Sequence, residues 1–155
     1  MVSLSDFSDS RQRSAAAQQV CWRLLREVGQ VLDLTCADVI EVVGPDASAH
    51  IQLLARQFPG QVLELGAETD CRNSVRVFWS AGAVAPDAVR VAAARCDALV
   101  VRHEPRAVAE VLAAASGLAR VFARRDAGQG LAVSVFGRGL ARDLFRRSPA
   151  GQRAA

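Results

Sequence analysis

The stretch from Asp38 to Gly66, DVIEVVGPDASAHIQLLARQFPGQVLELG, decides the fold. It opens with a β-branched run that ends at Gly44-Pro45, which reads as a strand followed by a tight turn. From Asp46 to Phe58 the pattern is helical, with Asp46 or Ser48 as the cap and Pro59-Gly60 as the stop. Gln61 to Gly66 is a second apolar strand. Strand, helix and strand joined by short Gly/Pro connections is the unit of an open α/β sheet with helices on both faces.

The same grammar continues outward. Ahead of it, Ser10 to about Leu34 is an amphipathic helix, with Ala17, Val20, Cys21, Leu24, Leu25, Val28, Val31 and Leu32 recurring at three- and four-residue steps. Behind it come a strand at Ser74–Ser80, a helix from Pro86 to Arg95, and the continuous apolar strand Asp97–Val101, which reads as buried on both sides. A helix over Pro105–Ser116 is closed by Gly117, and strands at 118–123 and 131–136 flank the turn-like RRDAGQG. Residues 139–147 complete the chain as a basic helix. The expected architecture is α/β: a three-layer sandwich around a mostly parallel, Rossmann-like sheet of five to six strands. One domain spans residues 10–147, between a flexible N-terminus at 1–9 and a flexible tail at 148–155.

Composition excludes several chemistries. The chain has 155 residues, 51% of them hydrophobic and 23% charged, and all nineteen basic residues are arginine. Without lysine there is no Walker-type phosphate loop, no Schiff base and no pyridoxal phosphate attachment. A receiver-type phosphorelay falls for the same reason. Cys21, Cys36, Cys71 and Cys96 form no C-x-x-C pair, so reduced and mostly buried thiols in a cytoplasmic protein are expected, not a zinc site or a disulfide framework. No apolar run is long enough to span a membrane, and the Ser/Asp-rich start does not resemble a secretory signal. Charge is unevenly divided. Residues 1–101 carry nine Arg against twelve carboxylates, whereas residues 102–155 carry ten against four.

In the order of these elements the chain resembles the class I S-adenosylmethionine-dependent methyltransferase superfamily over about residues 10–136. The runs VIEVVG (39–44), VLELG (62–66) and DALVVRHEP (97–105) carry that resemblance. It implies a cofactor site formed by Glu41 and Gly44 on the first strand, with Glu64 or Glu68 gripping the ribose hydroxyls. It places the chemistry near Asp97 and His103. Read on residue chemistry alone, Glu41 and Glu64 also fit solvent-facing positions at a sheet margin. His103, directly after a buried strand, is better placed than His50 to act as a general base. Trp22 and Trp79 read as core anchors.

The chain departs from the family pattern at the phosphate-loop glycines. Pro45 and Asp46 follow Gly44, one lacking an N–H and the other bringing negative charge. The chain is also short of the segments that would cover an acceptor. The favoured function is therefore a non-catalytic, methyltransferase-like interaction or regulatory subunit that holds no cofactor and works with a protein partner or as a homo-oligomer. The alternative is a small S-adenosylmethionine-dependent methyltransferase. Arg138, Arg142 and Arg146, four residues apart, are the candidate partner-binding face. No nucleic-acid motif accompanies them, and nucleic acid is not the expected partner.

Overall fold

The computed structural model of the chain describes residues 4–66, 74–126 and 130–138. Helix α1 runs Leu4–Val28, followed by strand β1 (Val39–Val43), α2 (Ala47–Gln57), β2 (Gln61–Glu64) and β3 (Arg76–Ala83). Then come α3 (Pro86–Arg95), β4 (Ala98–His103), α4 (Val108–Ala114), β5 (Ala119–Asp126) and β6 (Leu131–Gly137). Short 3-10 turns at Leu34–Cys36 and Pro105–Ala107 precede β1 and α4. The protein is α/β with one mixed, mostly parallel sheet in the order β2-β1-β3-β4-β6-β5. The pairs β1–β2, β1–β3 and β3–β4 are parallel, and β6 runs antiparallel to both β4 and β5. Five strands thus share one direction and β6 alone opposes them.

Two hydrophobic clusters form because side chains alternate across a strand. On one face Ile40, Val42, Val77, Trp79, Val100 and Val135 pack with Cys21, Leu24 and Val28 of α1 and Leu54 of α2. On the other, Phe78, Leu99, Val101 and Phe136 pack with Val89 and Ala92 of α3 and Val111 of α4. β4 is buried at all six positions, because helices cover both of its sides. Burial of each such aliphatic side chain stabilises the fold by about 1.5–3 kcal/mol.

α1 begins at Leu4, six residues earlier than the sequence pattern suggests, since nothing between Leu4 and Ser10 breaks a helix. Trp22, expected in the core, is 45% exposed. It follows Cys21 by one residue, a turn of about 100° that carries it off the buried stripe of Ala17, Cys21, Leu24 and Val28. Trp79 is fully buried, as expected. Among the described residues no helix is long and apolar enough to cross a membrane. The basic helix read at 139–147 and the tail at 148–155 lie outside the described residues.

Candidate functional site

Ligands of open α/β sheets bind beyond the carboxyl ends of the strands. At that end Gly44 leaves β1 with φ +124°, a conformation that glycine adopts and other residues resist. A Cβ on Gly44 would lie 2.9 Å from the backbone nitrogen of Gly82, and one on Gly82 would lie 3.0 Å from Cδ of Pro45. The end of β1 therefore approaches β3 closely, with the Pro45 ring against Gly82. Glu64, at the end of β2, is exposed, and Glu68 lies outside the described residues.

Glu41 is not at the margin of the sheet. It is 6% exposed and takes Arg76 at 3.3 Å on Oε1 and Arg95 at 2.5 Å on Oε2. Arg95 ends α3 and Arg76 begins β3, so this carboxylate ties a helix and two neighbouring strands together. Each oxygen of this buried carboxylate thus has its own guanidinium partner.

Asp97 and His103 are separated by the length of β4. Six residues of extended chain place them about 20 Å apart, at opposite ends of the sheet. Asp97 Oδ2 accepts the backbone N–H of Arg76 at 3.0 Å, and Asp38 Oδ2 accepts that of Val75 at 2.7 Å. The two aspartates fix the start of β3 between β1 and β4. His103 is fully buried. Its Nδ1 lies 2.9 Å from the Glu104 carbonyl, which can only accept, so Nδ1 carries a proton; in the neutral ring Nε2 then accepts the Ser134 hydroxyl at 3.0 Å.

Two other buried polar residues were not legible as such. His50 Nδ1 accepts the Trp79 indole N–H at 3.0 Å inside the α1–α2 face. Burial first, and the nearby Arg102 guanidinium second, push its pKa down to about 4; the Ala17 carbonyl opposes them. Arg102 itself is 3% exposed, and its backbone N–H donates to Ser80 Oγ at 2.6 Å. A histidine on the apolar stripe of α2 and an arginine closing an apolar strand were the available signals. Ser134 was signalled only as a hydroxyl within an otherwise apolar strand.

Of the arginines read as a partner face, Arg138 donates to the Ala93 carbonyl at 2.9 Å and the Cys96 carbonyl at 3.3 Å. It thereby caps the carboxyl end of α3, where a cation is favoured. Arg142 and Arg146 lie outside the described residues. Among the described residues no group of three or more His, Cys, Asp or Glu side chains is arranged to hold a metal. Known proteins supply no further guide: no family model, no curated protein and no solved structure matches this chain.

Proposed function

We propose that this chain is a Rossmann-like, three-layer domain of the class I methyltransferase type that holds no cofactor and serves as an interaction or regulatory subunit. The element order and the reversed last strand between β4 and β5 favour that fold, as do the two helix pairs on opposite faces of the sheet. The observation that carries the non-catalytic reading is the close approach of the end of β1 to β3 around Gly44, Pro45 and Gly82. A cofactor with its methionine end at that loop needs backbone N–H groups facing open space, and here Gly44 abuts Gly82, with the N–H-less Pro45 packed beside it. Glu41, held by Arg76 and Arg95, has its charge already matched. The separation of Asp97 from His103 leaves no convergent acid–base pair between them.

Isothermal titration with S-adenosylmethionine and with S-adenosylhomocysteine tests this directly. No saturable heat and no thermal shift are the expected result. One-to-one binding in the micromolar range, with the several-degree stabilisation it brings, would overturn the reading. Sedimentation of the purified chain, 16.5 kDa as a monomer, addresses the homo-oligomer within the same proposal.

A further inference from the structure

We propose that the protein binds a small phosphate ester in a cavity over β4, β6 and β5, distinct from the Gly44 loop. The register of the antiparallel strands places His103, Ala132 and Arg125 in one cross-strand row and Val101, Ser134 and Ala123 in the next. Directly opposed residues share a face. Two alanines in adjacent rows leave a depression there, and α4 is too short, at seven residues, to fill it. The result is a cavity of about 270 Å³, walled by Pro105 and Val108 on the helical side and by Arg120 and Arg125 at the β5 edge.

Its chemistry is polar where simple packing would favour carbon. His103 and Ser134 are buried and line the cavity. The relay from the Ser134 hydroxyl to His103 Nε2, and from Nδ1 to the Glu104 carbonyl, fixes the hydroxyl and leaves its oxygen able to accept from a ligand hydroxyl. Arg120 and Arg125 flank Ala123 on the same strand, are exposed, and have no carboxylate partner among the described residues. Arg124, which also lines the cavity, is paired with Glu27 of α1 and adds no net charge. Two lining arginines without a carboxylate partner among the described residues suit a dianion, since their planar donor forks match phosphate oxygens. The apolar wall of Pro105 and Val108 suits a short carbon chain beside it. The volume limits the ligand to a small one.

This site does not rest on the non-catalytic reading of the Gly44 loop. The test is calorimetric titration with inorganic phosphate and with glycerol phosphate at constant ionic strength, set against acetate. Saturable binding of both phosphates is expected, with glycerol phosphate the tighter and acetate at least tenfold weaker. Arg120→Gln and Arg125→Gln should each weaken binding tenfold or more, while Arg90→Gln, whose partner is Asp87 on α3, should change nothing. Ser134→Ala should erase the preference for glycerol phosphate, provided its circular dichroism and melting remain native. Heats that never saturate, acetate binding as tightly as phosphate, or affinity unchanged in both β5 variants would each overturn the proposal. The two β5 arginines are exposed, so their variants keep the test valid even if Ser134→Ala fails to fold.

Discussion

Cys21 and Cys96 sit in opposite hydrophobic clusters, 0% and 1% exposed, and burial pushes both thiols up to about 12. For Cys21 the Arg102 guanidinium opposes that rise. For Cys96 the Glu41 carboxylate adds to it. The thiolate is the reactive form, so both should resist alkylation in the native state, whereas the exposed Cys36 should label readily. Peptide mass spectrometry after brief treatment with iodoacetamide checks this. Labelling of Cys21 as fast as Cys36 would mean that α1 does not stay on the sheet. The sequence showed that these cysteines have no zinc-like spacing. It did not distinguish Cys36 from the others, because exposure there depends on how the 3-10 turn at Leu34–Cys36 leaves α1.

At the scale of elements, polar side chains fix the alignment that apolar packing leaves free. Asp38 and Asp97 hold the amides of Val75 and Arg76 at the start of β3, and Arg138 holds the Ala93 carbonyl near the end of α3. Glu41 joins β1 to both β3 and α3. Removing it takes the carboxylate from Arg76, 21% exposed, while Arg95 at 42% is already half solvated. Glu41→Ala should therefore cost about 2–3 kcal/mol in urea unfolding, at or below the usual range for breaking a buried pair. Arg95→Ala should cost under about 1 kcal/mol, in the range of exposed pairs. Equal losses from the two variants would show that Glu41 is not the hub. Every described α-helix and strand was legible from periodicity and Gly/Pro punctuation, with boundaries shifted by up to six residues at α1. The role of Glu41 was not, because a carboxylate in an apolar strand reads the same at a margin or against two arginines.

Across the whole molecule, global stability should fall in acid through His50. In the unfolded chain an imidazole takes its proton near 6.5, but in the fold His50 is held to about 4. A depressed folded pKa means that the unfolded state binds the proton first. The contribution of His50 is complete above about pH 7 and is lost as pH falls from 6.5 towards 4. The added proton would also set an N–H against the Trp79 indole N–H, which now donates to Nδ1. Between pH 7.5 and pH 4.5 the loss should be about 2–3 kcal/mol. Urea midpoints at the two pH values, for the natural chain and for His50→Gln, measure it. A pH dependence that is the same in both would remove His50 as its cause. The sequence alone determined the class of fold, the succession of elements and the exclusion of lysine chemistry, because periodicity, turn residues and composition are local properties. Only the tertiary structure decided that Pro45 meets Gly82, and that Ser134 and Arg125 gather around His103. Those are contacts between distant residues, set by strand order and register, and a single sequence carries no record of which strands become neighbours.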